Sequence, residues 1–267
     1  MKIIDCILFN GEIDMLLLRL KQYNSFIDNF IIIEGDKSFT NINKKELYIN
    51  IVKNDIRFSE YLHKIEFFIY NIIHTEPWAN EKESRNAIHF TTTFKNLDNN
   101  DLIINGDCDE ILRKDTLNKI KNGYDIKLGK TFLFKNIFFS LNWQYPNDCY
   151  TSIIVTKKTL LENDIHHLRL KFRENNEYHY NDEKGWHFSF FGNIDDIINK
   201  IRNFSHQEMN RPQYNNKDYI LNEIINKGNA VDFFTVDWNI GNVPQLVKNN
   251  LDDLPEDVNI IDKFMLT

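Results

Sequence analysis

Leu102-Ile103-Ile104-Asn105-Gly106-Asp107-Cys108-Asp109-Glu110-Ile111 is the stretch on which the fold turns. An apolar run of strand length reaches a glycine and then releases three carboxylates within four residues, the pattern of a buried parallel strand that ends at a ligand site. In extended backbone Asp107 and Asp109 share one side, roughly 6.5 to 7 Å apart at their Cα atoms, while Cys108 turns to the other. Two carboxylates that close repel each other unless a cation lies between them. Oxygen donors of this kind suit Mg²⁺ or Mn²⁺, ions that keep coordination positions open for phosphate oxygens. A solvated acidic turn is the alternative, and the residues alone leave both readings open.

Upstream, the run over 3–9 reads as a strand interrupted by Asp5, and 12–26 carries Ile13, Leu16, Leu17, Leu20 and Tyr23 at helical spacing. A second buried strand over 30–34 ends in acid, at Glu34 and Asp36. Strands that end in polar loops on one edge predict an α/β fold with a Rossmann-like, mostly parallel central sheet flanked by helices. Lys37, in the loop that follows, is placed either to meet a phosphate or simply in solvent. A strand is expected over 63–70, with a helical stretch over 56–62 before it. Residues 81–97 read as a helix with Ala87, Phe90, Phe94 and Leu97 inward and Arg85 and Asn86 in a first turn that faces the site.

Downstream, Asp115 is expected to cap a helix over 116–121 that Gly123 stops. From residue 124 the texture turns β-rich and aromatic, with strands over 131–134, 137–139 and 152–155. Trp143 and Tyr145, beside Pro146, are expected in a loop that shapes a second substrate's pocket; a core role is the alternative. The charged segment 166–180 reads as a mobile flap. His187 lies in a short aromatic strand between Gly185 and Gly192, as a structural or a functional histidine. Ile194, Ile197, Ile198, Ile201 and Phe204 form a helix stripe, and 219–225 reads as a final helix. From residue 232 onward, with Trp238, Pro244, Leu246 and Pro255, the chain reads as an extension packed on the domain.

At 267 residues, 42% hydrophobic and 27% charged, the chain has the composition of one sizeable globular domain. Its formal charge of −7 argues against a nucleic-acid partner, which calls for a basic face. Cys6, Cys108 and Cys149 are far apart and lack metal-ligand spacing, so no disulfide is expected. The N-terminal run is neither a secretory segment nor a membrane span, and a cytoplasmic protein is expected. No phosphate-binding glycine loop, dinucleotide fingerprint or internal repeat occurs.

Four segments together resemble glycosyltransferase family 17, the family of the β-1,4-mannosyl-glycoprotein 4-β-N-acetylglucosaminyltransferase. They are Asp5-Cys6-Ile7-Leu8-Phe9-Asn10-Gly11-Glu12-Ile13-Asp14 with Arg19, Ile33-Glu34-Gly35-Asp36-Lys37-Ser38-Phe39-Thr40, Gly106-Asp107-Cys108-Asp109-Glu110-Ile111, and Gly185-Trp186-His187-Phe188-Ser189. Arg85-Asn86-Ala87 and Phe204-Ser205-His206-Gln207-Glu208 extend the resemblance, which runs from residue 2 to about residue 234.

The resemblance implies a GT-A domain over 1–231, with a donor half to about residue 123 and an acceptor half beyond it, followed by the extension 232–267. It implies a UDP-sugar donor (UDP-GlcNAc favoured), a saccharide or glycan acceptor, Mn²⁺ or Mg²⁺, and transfer with inversion. On the same ground Asp109 holds the metal, Asp107 meets the ion or the donor ribose, and His187 completes the metal shell. Lys37, Arg85 and Asn86 are then candidates for the nucleotide, and Glu12 and Glu34 for base or ribose. Glu183, or Asp182 beside it, is the candidate base for the acceptor hydroxyl, and Trp143 and Tyr145 are the candidates to stack on acceptor sugars. With no membrane anchor preceding the domain, a cytoplasmic saccharide acceptor is expected. Two rivals stand beside this reading: a catalytically silent nucleotide-sugar or glycan-binding protein on the same fold, and a metal-dependent phosphohydrolase or nucleotidyltransferase. The latter would want a second acidic cluster, and the sequence shows none.

Overall fold

The structure, a computed structural model, describes residues 1–123, 129–230, 233, 246–249 and 253–263, and of residues 181–184 the backbone alone. Trp238 and Pro244 therefore lie outside the described residues, as do the side chains of Asp182 and Glu183.

The chain opens with β1 (Ile3–Leu8), α1 (Ile13–Tyr23), β2 (Asn29–Gly35), α2 (Tyr48–Asn54) and β3 (Ile65–Tyr70). Then come α3 (Pro77–Asn86), α4 (Thr92–Lys95), β4 (Leu102–Asp107), β5 (Glu110–Leu112) and α5 (Lys114–Lys121). The second half holds β6 (Lys130–Phe138), β7 (Trp143–Gln144), β8 (Cys149–Thr156), α6 (Lys157–Leu161), α7 (Ile165–Glu174), β9 (His179–Ser189), α8 (Ile194–Asn203) and β10 (Val247–Lys248).

One curled sheet runs in the order β10-β7-β6-β8-β4-β1-β2-β3, with β9 beside β6 and β5 beside β9. Strands β4, β1, β2 and β3 are mutually parallel, and their C-terminal ends share one edge. Beyond β4 the sheet is mixed: β8 runs antiparallel to β4 and β6, and β9 parallel to β6. The parallel half matches the expected sheet, and the antiparallel partners make the whole more mixed than expected.

Strands β1, β2 and β4 are mainly apolar because both faces are covered. Ile3, Ile7, Phe30, Ile32, Leu102 and Ile104 enter a core against α1 and α5, whereas Ile4, Cys6, Ile31, Ile33 and Ile103 enter a second core against α7. Each such buried aliphatic side chain contributes about 1.5–3 kcal/mol of hydrophobic stabilisation. A third, aromatic core forms around Phe138, Phe139, Phe190, α8 and Phe233. From the C-terminal stretch, Leu246 enters the third core, and Val258 and Ile261 the first.

Several segments depart from expectation. The helix expected over 81–97 begins at Pro77, because Glu76 caps Trp78 N and proline suits a first turn. It breaks after Asn86 into a 3₁₀ turn, and Thr91 caps the short α4. No helix was expected at α2; its first N–H groups, of Tyr48 and Ile49, are satisfied by Glu34 from β2, a cap that is not local in sequence. The expected flap at 166–180 is largely α7, capped by Asp164 and anchored by Ile165, Leu168 and Phe172. Charges between those anchors hide the i, i+3, i+7 stripe. Among the described residues no helix is long and apolar enough to cross a membrane.

Candidate active site

The acidic tip is held from beneath by a buried ion pair. Arg19 of α1 grips Asp5 of β1 with two hydrogen bonds, Nε to Oδ2 at 2.8 Å and Nη2 to Oδ1 at 2.7 Å. Its remaining nitrogen, Nη1, donates to the carbonyl of Asp107 at 2.9 Å and to that of Glu110. Both side chains are fully buried, so the pair persists only because each charge is matched and the guanidinium is fully used. Gly106 is required by close approach. A Cβ there would land on Ser152 Oγ and 2.9 Å from Glu110 Oε2.

β5 brings His187 to the tip: Glu110 pairs with His187 across the β5–β9 ladder, and Phe188 N donates to the Asp109 carbonyl at 2.9 Å. Asn136 Nδ2 donates to the Asn147 carbonyl at 2.7 Å, which orients the amide so that its Oδ1 faces His187 Nδ1 at 3.0 Å. Nδ1 therefore carries the hydrogen, and Nε2 is presented to Asp109 Oδ1 at 3.8 Å. Burial alone would depress the imidazole; the Cys149 thiol and the charge of Asp109 outweigh it and raise His187 to about 9. On the other carboxylate oxygen, Lys200 of α8 places Nζ 2.8 Å from Asp109 Oδ2 and 3.5 Å from Glu12 Oε1. Burial opposes the ammonium, yet Asp109 and Glu12 together hold it above the ordinary lysine value.

Asp107 faces the other way. Arg85 Nη2 lies 2.6 Å from its Oδ1 and Arg169 Nη2 3.4 Å from its Oδ2. Burial works against the charge, but the two guanidinium groups, Arg85 first, hold this carboxyl well below the usual range. Arg169 also meets Glu110 Oε1 at 3.1 Å. Among the described residues no three His, Cys, Asp or Glu side chains converge on one point. The pair Asp109 Oδ1 and His187 Nε2 is the part of the tip open to a divalent cation.

A cavity of about 700 Å³ opens beside Asp109, walled by Gly11, Glu12, Tyr48, Phe191 and Lys200. Gly11 adopts φ +103°, and a Cβ there would strike the Tyr48 ring. The ring therefore packs flat on glycine at the cavity wall.

Of the residues read from the sequence, Asp109 and Glu12 line the cavity and His187 stands against Asp109, with Asp107 next to them but turned to the arginines. Arg85 is buried on Asp107 and Glu81 and is not part of the cavity wall. Glu34 is not there either: it is fully buried, and its oxygens take Lys44 Nζ at 2.8 Å and the two N–H groups that open α2. Asn86 ties α3 to α7, donating to Asp164 Oδ2 at 2.8 Å and accepting from Ile165 N at 3.0 Å. Lys37 folds onto Asn41 of its own loop at 2.9 Å. Trp143 and Tyr145 are inside the third core, 9% and 6% exposed, so their ring faces are not open to a sugar. Trp143 Nε1 donates to the Ile225 carbonyl at 2.6 Å. The side chains of Glu183 and Asp182 lie outside the described residues.

Lys200, Arg169 and Tyr48 escaped the sequence reading. A signal existed for the first two: each is a charge on the inner edge of an apolar helix stripe, beside Ile197 and Ile201 or between Ile165 and Phe172.

Comparison with known proteins adds one broad match. The family model described as glycosyltransferase family 17 matches residues 1–243. No curated protein sequence matches the chain. Among solved structures, residues 1–349 of S. aureus TarS are similar at 12% identity and TM-score 0.39, over 89% of this chain and 81% of that one. TarS 1–349 in complex with UDP-GlcNAc gives 12% and 0.41, over 89% and 82%. The galactosyltransferase LgtC, in complex with donor and acceptor sugar analogues, gives 13% and 0.33, over 67% and 65%.

Proposed function

The chain belongs to glycosyltransferase family 17, and from that premise we propose that this glycosyltransferase moves GlcNAc from UDP-GlcNAc to a saccharide hydroxyl, with inversion and with Mn²⁺ or Mg²⁺. The parallel edge of the sheet, with its acids at the strand ends, supports a GT-A reading of the fold. One observation carries the proposal: Asp109 and Lys200, 2.8 Å apart, line a cavity of about 700 Å³, a volume suited to a nucleotide sugar, and His187 Nε2 stands 3.8 Å from the same carboxylate.

The donor set fits a cation that the substrate completes. Asp109 Oδ1 and His187 Nε2, 3.8 Å apart, are too far for a hydrogen bond and closer than twice the usual ligand distance of about 2.1 Å. Two protein ligands plus diphosphate oxygens make up the kind of site these ions favour. When bound, the ion supplies charge stabilisation for the departing diphosphate. The chain's own residues do the rest. Lys200 offers a fixed positive charge where the leaving group gathers negative charge. Glu12 and the wall around Tyr48 line the nucleotide's space, and Arg19 keeps the tip rigid from below. We assign the base for the acceptor hydroxyl to Glu183, with Asp182 as its alternative, from their place in the sequence before Gly185.

Turnover of UDP-GlcNAc with Mn²⁺, and after EDTA, tests the reading together with Asp109→Asn. Activity should need the ion and fall by at least about 100-fold in the variant. Full turnover in Asp109→Asn would sink the assignment. UDP binding without turnover against any acceptor would instead mark a silent binding protein.

A further inference from the structure

We infer that α3 and α7 build a second anion site, on the far side of Asp107 from the cavity, that receives a phosphate group carried by the acceptor. The inference rests on the glycosyltransferase reading for the word acceptor, though not for the site itself. His166, Arg169 and Arg173 recur at i, i+3 and i+7 of α7 and so share one face of that helix. Arg85 of α3 joins them through Asp107, which it and Arg169 hold from two sides. None of the four is part of the cavity wall.

Hydrogen-bonding capacity on this face is unbalanced. Each oxygen of the three nearby carboxylates already accepts or is paired: Asp107 from Arg85 and Arg169, Glu110 from Arg169, Ser152 and Asp107 N, and Glu81 from Arg85 and Ser205. The donors are not used up. Arg85 is 4% exposed, yet its Nη1 has no partner among the described residues. Leaving a buried guanidinium N–H unmade is costly, and an incoming oxyanion removes that cost. No hydrogen bond or ion pair of the Arg173 guanidinium or the His166 ring occurs among the described residues, and Arg173 is exposed to solvent. Both lie on the face of α7 from which Arg169, one turn from each, reaches Asp107 and Glu110.

A planar fork with all its donors free, one turn along α7 from Arg169, and a second fork with one nitrogen unused across Asp107 offer donors that match the oxygens of a phosphate monoester or diester. The donor's diphosphate is accounted for on the other side, by Lys200 and the Asp109–His187 pair. A phosphate bound near Arg173 and Arg85 therefore belongs to the second substrate.

Calorimetry with mannose 1-phosphate as probe, on the full chain with UDP and Mn²⁺ at saturation, tests the site against mannose itself. The sugar phosphate should bind with UDP in place, and mannose at least about tenfold more weakly. Arg173→Gln changes an exposed side chain and should fold. It should weaken the sugar phosphate by about tenfold or more while UDP affinity stays within about twofold. The inference is overturned if saturating UDP abolishes sugar-phosphate binding, if Arg173→Gln leaves it unchanged, or if no binding occurs. Absence of UDP binding in the same titrations would strike the donor reading of the cavity and leave the second site to be judged by the sugar phosphate alone.

Discussion

Lys200 and Asp109, 91 residues apart in the chain, meet at 2.8 Å on the rim of the cavity, and the carboxylate is nearly buried. Lys200→Met removes the cation and leaves Asp109 without compensation, a loss on the order of 3 kcal/mol. Donor affinity should fall with it. Mn²⁺ should raise the melting temperature of the variant more than that of the parent, because the ion restores the missing charge. Thermal melts with Mn²⁺ and with EDTA check this, and equal shifts in both proteins would place the ion elsewhere.

Arg19→Met should be more damaging, because Asp5 becomes an unpaired buried charge and the carbonyls of Asp107 and Glu110 lose their donor. A loss of about 3–5 kcal/mol is expected from the broken pair. Asp5→Asn combined with Arg19→Met should recover part of it, since the orphaned charge is then gone. Urea denaturation of the three variants measures the difference, and a double variant no more stable than Arg19→Met would contradict it.

His187 gives the metal-free protein a pH dependence of known sign. Its value in the fold, about 9, stands above the ordinary histidine value, so the stabilisation is complete below about pH 6.5 and is lost as pH rises through about 9. In EDTA, stability should decline by a few kcal/mol at most across that window. His187→Gln should flatten the profile. Denaturant midpoints at pH 6, 7.5 and 9 make the comparison, and an unchanged slope in the variant would assign it to another group.

Trp143 separates packing from acceptor binding. Trp143→Phe keeps the ring in the aromatic core and removes the bond to the Ile225 carbonyl. Stability should drop by about 1–2 kcal/mol, with KM for UDP-GlcNAc unchanged in a hydrolysis assay. A raised KM with full stability would return Trp143 to the substrate side.

What was legible in the sequence was whatever depends on burial of neighbours in the chain. β1, β2 and β4 are covered on both faces, so they spell mainly apolar runs, broken in β1 by Asp5, and the acids at the ends of β2 and β4 stand out against them. The same locality makes α1 and α8 readable from their stripes. The acidic tip and His187 could be singled out for this reason, together with the resemblance of their segments to one family.

Tertiary structure decided which side each charge faces and what answers it. Glu34 resembled a ligand for ribose until its oxygens proved to be the cap of α2, and Asp107 resembled a partner of Asp109 until two arginines claimed it. Trp143 was visible as an aromatic, but its direction depended on contact with Ile225, 82 residues away. Arg169 and Lys200 reach the tip from helices 62 and 91 residues beyond the carboxylates they hold. Backbone periodicity is written in adjacent residues, whereas electrostatic pairing in a desolvated site is settled by distances that only the folded chain creates.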